Sequence, residues 1–149
     1  MAISAHIRRV PRRSLPAGVT VPTVEIWSAM ADDQPTYTTL DGSLIREIIR
    51  PERQGSRNLS LAEATIAPGQ STIRHLHHES EEVYYVLSGT GTIEVAARLH
   101  SVLAGDAVLI PPGAEHRATC TGETPLRILC ACSPAYQHED TELTEGELA

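Results

Sequence analysis

The chain has 149 residues, of which 41% are hydrophobic, and it carries a formal net charge of -7 with a pI near 5.4. This length fits one domain with a modest extra arm, the acidity argues against nucleic acid as the main partner, and no apolar run is long enough to span a bilayer as a helix. All 12 basic residues are Arg and none is Lys, which excludes Schiff-base chemistry and a lysine general base.

In chain order, the first segment, 1-MAISAHIRRVPRRSLPAG-18, is basic without an apolar stretch and does not read as a secretory signal. Pro11, Pro16, Pro22 and Pro35 keep this part of the chain from forming a long helix, and 24-VEIWSA-29 reads as a short strand. Arg8, Arg9, Arg12 and Arg13 at this end are balanced by Glu139, Asp140, Glu142, Glu145 and Glu147 at the other. Solvated tails are expected, the alternative being that the two ends meet within one chain or across a dimer.

From residue 40 the rhythm changes to short β-like runs between turn signals. Strands are expected at 44-LIREII-49, 59-LSLAEATI-66, 72-TIRHLH-77, 82-EVYYVL-87, 91-GTIEVA-96, 99-LHSV-102, 107-AVLI-110, 115-EHRAT-119 and 126-LRILCAC-132. Turns fall at Pro68-Gly69, Gly89-Thr90-Gly91, Gly105-Asp106 and Pro111-Pro112-Gly113. The fold class is therefore all-β, a sandwich or barrel. Residues 1–40 form an N-terminal arm, 41–135 the barrel and 136–149 an acidic C-terminal tail. Cys120, Cys130 and Cys132 are odd in number, which suggests reduced thiols in a cytoplasm.

Chemistry concentrates in 75-HLHHESEE-82. Side chains two apart share a face of a strand, so His75 and His77 point the same way. In the next strand Glu82, Tyr84 and Val86 share a face. A hairpin laying 73–77 beside 82–86 would gather two imidazoles and a carboxylate, a donor set suited to catalytic Zn²⁺ or non-haem Fe²⁺. Glu81 is the rival carboxylate, while His78 and Glu79 are expected in a solvated turn. His116, after a proline-glycine turn, is a further candidate ligand.

These residues resemble the two motifs of the cupin superfamily. Gly69, His75, His77, Glu82 and Gly89 match the first, with four residues between His77 and Glu82; Gly105, Pro111, Gly113 and His116 match the second. Cys120 stands where the family usually has Asn. The resemblance covers about residues 59–132 and implies a double-stranded β-helix, the small jelly-roll barrel. It also implies one divalent metal ion (Zn, Fe, Ni or Mn, with zinc or iron favoured) held by His75, His77, Glu82 and His116. A homodimer is implied as well, and 44-LIREII-49 offers an edge that could pair across it.

Around the metal, Glu82 and Tyr84 are the candidate catalytic residues, and Tyr84 and Cys120 the candidate pocket wall. Tyr84 reads equally well as a core tyrosine, and Cys120 as a small buried hydrophobe. Cys130 and Cys132 are expected in the core. Arg46, Arg74 and Arg127 could hold an anionic substrate. Tyr136 and His138 could form a lid, an ordered inert tail being the expected alternative. The expected function is that of a non-redox Lewis-acid enzyme of the isomerase or polyketide-cyclase type, acting on a small organic molecule. A ferrous dioxygenase and a non-catalytic ligand-binding cupin are the alternatives.

Overall fold

In the computed structural model, residues 34–145 are described, so the strand expected at 24–29 and the arginines of the first segment lie outside the described residues. The elements in order are β1 (Thr36–Thr38), β2 (Leu44–Ile49), α1 (Pro51–Gln54), β3 (Ser60–Ile66), β4 (His75–His77), β5 (Glu81–Ser88), β6 (Thr90–Val95), β7 (Arg98–Leu103), β8 (Ala107–Ile110), β9 (His116–Cys120) and β10 (Leu126–Ser133), then a 3-10 turn (His138–Asp140) and β11 (Thr141–Leu143). They form two antiparallel sheets, one ordered β1-β2-β3-β10-β5-β8 and the other β11-β4-β9-β6-β7. This is a jelly-roll β-sandwich.

Alternation along each strand builds the interior. In β5, Glu82, Tyr84 and Val86 are buried, while Val83, Tyr85 and Leu87 face out. Val86, Ile93, Ile110 and Leu126 are almost wholly inaccessible and fill the closed half of the sandwich. Each such side chain contributes about 1.5–3 kcal/mol relative to exposure. The other half of the interior remains open and holds the polar groups.

Two expectations need correction. The segments 73–77 and 82–86 do not pair as a hairpin: β4 lies in the five-stranded sheet and β5 in the six-stranded one. Alternation identifies the inward face of a strand but not its neighbour. Nor is β2 an open edge, because it pairs with β1 on one side and β3 on the other. The described part of the C-terminal segment is structured, with Thr141, Glu142 and Leu143 pairing with His77, Leu76 and His75. Glu145 completes an ion network on the outer face with Arg74 (2.9 Å) and Arg117 (3.7 Å), both of which also pair with Glu94.

The β6–β7 connection is a two-residue hairpin between Val95 and Arg98, and both its central residues, Ala96 and Ala97, have positive φ (46° and 61°). Such a turn favours Asn-Gly, since a Cβ is strained there. Replacing Ala96→Asn and Ala97→Gly together is expected to raise stability by about 1 kcal/mol, read from the urea midpoint. Gly91 is the opposite case. A Cβ there would sit 2.4 Å from Thr119 O and 2.6 Å from Leu126 Cδ2. Gly91→Ala is expected to cost about 2 kcal/mol or more in the same measurement.

Candidate metal centre

His75 on β4 pairs directly with His116 on β9, so strand register alone brings their rings to a centroid distance of 4.2 Å. His77, two residues along β4, shares the inward face, 5.3 Å from His75 and 5.4 Å from His116. One nitrogen from each ring falls within 4.8 Å of the others, and all three residues are buried. Glu82 reaches them from the opposing sheet. Its Oε2 lies 3.3 Å from His77 Nε2 and 3.5 Å from His116 Nε2.

Each imidazole is oriented from behind. His75 Nδ1 donates to Ile73 O (2.8 Å) and His116 Nδ1 to Ala114 O (2.9 Å). His77 Nδ1 pairs with the Thr141 hydroxyl (3.1 Å), which itself donates to Gln137 O. With Nδ1 engaged, every Nε2 is left to face the centre, the arrangement metal-binding histidines use. The loops are fastened too: Gly113 N donates to His77 O (2.6 Å), and the Asp140 carboxylate accepts from Glu79 N and Ser80 N.

The electrostatics suit a cation. Burial pushes the His75 pKa down, and His116 beside it adds to this, so the ring is held neutral and ready to ligate. Burial works to raise the Glu82 pKa, but contacts with His116 and His77 outweigh it and bring it down to about 2. Glu82 Oε2 and His116 Nε2 are both buried without a hydrogen-bond partner. Unsatisfied buried polar atoms are costly, and a divalent cation between them would satisfy both. The donors present, three imidazoles and a carboxylate, fit such an ion.

His75, His77 and Glu82 line a cavity of about 390 Å³ directly. Tyr84 also lines it, with its ring 5.9 Å from that of His116. Burial, and then the charge of Glu82, raise the Tyr84 pKa well above the usual phenol value, so the hydroxyl keeps its proton. Cys120 does not line this cavity; its thiol is buried beside the carbonyls of Gly122 and Thr124. The thiols on the cavity wall are those of Cys130 and Cys132, which the sequence reading places in the core. Cys132 Sγ donates to Glu82 Oε1 at 3.3 Å. Burial, and then Glu82, raise both thiol pKa values, so neither is a thiolate nucleophile here.

His78 and Glu81 face outward, and His78 pairs with Glu142 on the surface. Arg46, Arg74 and Arg127 do not line the cavity; Arg127 grips Glu63 with two hydrogen bonds, as Arg74 does Glu94. Arg50 is the guanidinium on the wall. Tyr136 and His138 line the cavity, joined by a 3.1 Å hydrogen bond, and the Tyr136 ring lies 5.6 Å from that of His77. Sequence reading missed Thr141, Cys132 as a partner of Glu82, and Asp41, which lines the cavity 3.9 Å from His75 Nε2. The Asp-Gly-Ser run at 41–43 is a turn signal that could have drawn attention to the last of these.

Comparison with known proteins agrees with this geometry. A family model described as Cupin domain matches residues 62–132. The chain is 41% identical over 123 residues to the uncharacterized protein MJ1618 of Methanocaldococcus jannaschii, covering 83% of this chain and 98% of that protein. It is 26% identical over 119 residues to the tetracenomycin polyketide synthase protein TcmJ of Streptomyces glaucescens, covering 76% and 78% respectively. Among solved structures, Streptomyces Pac13, described as a nucleoside dehydratase, superposes with a TM-score of 0.68 at 14% identity, over 83% of this chain and 95% of that one. At that identity the likeness is one of fold. With the two motifs in place on a jelly roll and their histidines gathered at one point, the chain belongs to the cupin family.

Proposed function

We propose that the protein is a metal-dependent enzyme acting on a small organic carbonyl compound without redox chemistry, of the isomerase or polyketide-cyclase type. The observation that carries this reading is the cluster of three oriented imidazoles beside a cavity, with Glu82 Oε2 and His116 Nε2 buried 3.5 Å apart and neither making a hydrogen bond. His75, His77, Glu82 and His116 would hold one divalent ion, zinc or iron being favoured. When bound, the ion supplies Lewis-acid polarisation of a substrate carbonyl.

The chain's own groups supply the rest. The ligand histidines are held by their Nδ1 partners, so the donor set needs no rearrangement to bind. Glu82 and Tyr84 are assigned the proton chemistry. Glu82, held as a carboxylate, would accept the proton leaving the carbon beside the carbonyl, and Tyr84, which keeps its proton, would donate to the negative oxygen that develops. Aliphatic walls of Ile45, Ala64, Ile66 and Ile128 exclude water from the inner cavity. The relationship to TcmJ supports a polyketide-like substrate. The cytoplasmic setting and the homodimer belong to the same proposal. Three free buried cysteines support the first, and the exposed apolar residues Val83, Tyr85, Leu87 and Leu109 on the outer face of β5 and β8 support the second.

Protein purified without added metal is expected to carry about one divalent ion per chain by elemental analysis, and the His75→Ala, His77→Ala double variant less than a tenth of that. Full metal in the double variant would remove the assigned site. With metal bound, an enolisable ketone is expected to exchange its α-hydrogen for solvent deuterium with no uptake of O₂. Tyr84→Phe is expected to slow that exchange about 100-fold at unchanged metal content. Iron together with substrate-dependent O₂ consumption would establish the dioxygenase instead.

A further inference from the structure

The turn 39-TLDGS-43 lies outside both motifs that carry the metal ligands, yet Thr39, Asp41 and Ser43 line the cavity. It is a constructed feature. Gly42 takes φ +82°, and backbone hydrogen bonds of 3.0 Å run from Thr39 N to Ser43 O and from Gly42 N to Thr39 O. Ile73 N donates to Asp41 O at 2.6 Å, which fastens the turn to the segment leading into His75.

The Asp41 side chain is divided in its contacts. Asp41 is 8% exposed, and its Oδ1 accepts from Ser43 N (3.0 Å), Ser43 Oγ (2.8 Å) and the Thr39 hydroxyl. All three of these hydrogen bonds go to Oδ1 and none to Oδ2. Its nearest basic neighbour is His75 Nε2 at 3.9 Å, on a ring that already donates through Nδ1 to Ile73 O. A carboxylate on the wall of a cavity, with one oxygen held by its own turn, can offer the other to a ligand's hydroxyl.

The charge of the wall narrows the ligand further. Among the described residues, Asp41, Glu47, Glu52, Glu82 and Glu139 line the cavity against one guanidinium, that of Arg50. That guanidinium is already paired, at 2.5 Å with Glu47 and 3.7 Å with Glu52. A phosphorylated or carboxylated ligand would therefore meet like charge along this wall, Asp41 included.

We propose that Asp41 is a substrate-contacting specificity residue: its Oδ2 accepts a hydrogen bond from a ligand hydroxyl, and with the acidic wall it selects uncharged hydroxylated carbonyl compounds over anionic ones. This rests on the reading of the cavity as the substrate site and adds the class of substrate to it. Asp41→Asn keeps the turn, because the amide oxygen can take the place of Oδ1, but it removes the charge and turns a donor toward the ligand.

The test is calorimetric binding of dihydroxyacetophenone, which is neutral, and dihydroxybenzoate, its carboxylate counterpart, to zinc-loaded and to metal-free protein. The wild type is expected to prefer the neutral ring. Asp41→Asn is expected to shift the ratio of affinities about tenfold toward the anion in both forms. An unchanged ratio in Asp41→Asn, a wild-type preference for the anion in the metal-free form, or failure of either form to bind the neutral ring would overturn the proposal. Failure of the wild type to bind zinc would instead overturn the metal assignment, leaving the Asp41 comparison to be read from the metal-free protein.

Discussion

Gathering three imidazoles and a carboxylate inside a small sandwich removes four polar groups from water, and much of the structure near the site serves to make that tolerable. A buried polar atom must be paired or it destabilises the fold. The outer nitrogens are paired, by Ile73 O, Ala114 O and the Thr141 hydroxyl, and Glu82 Oε1 is paired by the Cys132 thiol. What remains is at the centre, where His116 Nε2 and Glu82 Oε2 face each other with no hydrogen bond. A site satisfied at its periphery and unsatisfied at its middle is one that a cation would complete. The register of β4 on β9 and the approach of β5 from the other sheet are the two features that create that middle.

The second of these features was not legible in the sequence. Spacing within 75–82 and the second-motif turn sort the side chains into inward and outward sets, and the structure keeps that sorting: His75, His77, Glu82 and His116 are buried, while His78 and Glu81 face out. Period-two alternation carries no information about which strand lies beside which. Glu82 therefore reads as the hairpin neighbour of His77 when it reaches it from across the sandwich. The same limit explains the cysteines. Cys120, Cys130 and Cys132 all point inward, but depth along the strand decides which meet the cavity, and depth depends on how the sheets stack. β1 and β11 have three residues each, too few to show a period, and Ala96-Ala97 turns the chain without any turn-forming residue.

The acidic segment after β10 illustrates how composition can mislead. Clustered Asp and Glu at a chain end read as a solvated tail, yet the described part of this segment is attached to the site. Asp140 closes the 78–80 turn through two backbone amides, and the adjacent Thr141 orients His77. Glu145 shares Arg74 and Arg117 with Glu94, so the arginine that looked available for an anionic substrate is engaged on the outside of the sheet. The carboxylates here act as acceptors for specific backbone and guanidinium donors, and that role depends on position rather than on charge density.

The two walls flanking the candidate metal ligands differ in kind. On the six-stranded sheet, burial and then the Glu82 carboxylate raise the pKa values of Tyr84, Cys130 and Cys132, so all three stay protonated. That wall therefore presents protonated groups, although the Cys132 thiol is engaged with Glu82 itself. On the side of the 39–43 turn, Asp41 presents an acceptor whose own donors all sit on its other oxygen. A ligand with a carbonyl at one end and a hydroxyl at the other has one favourable orientation between them, oxygen acceptor toward Tyr84 and hydroxyl toward Asp41. Reversing it would set the carbonyl oxygen against the Asp41 carboxylate and leave the hydroxyl facing the protonated wall. The asymmetry comes from a turn outside the two family motifs, so it can differ between relatives that share the same metal ligands.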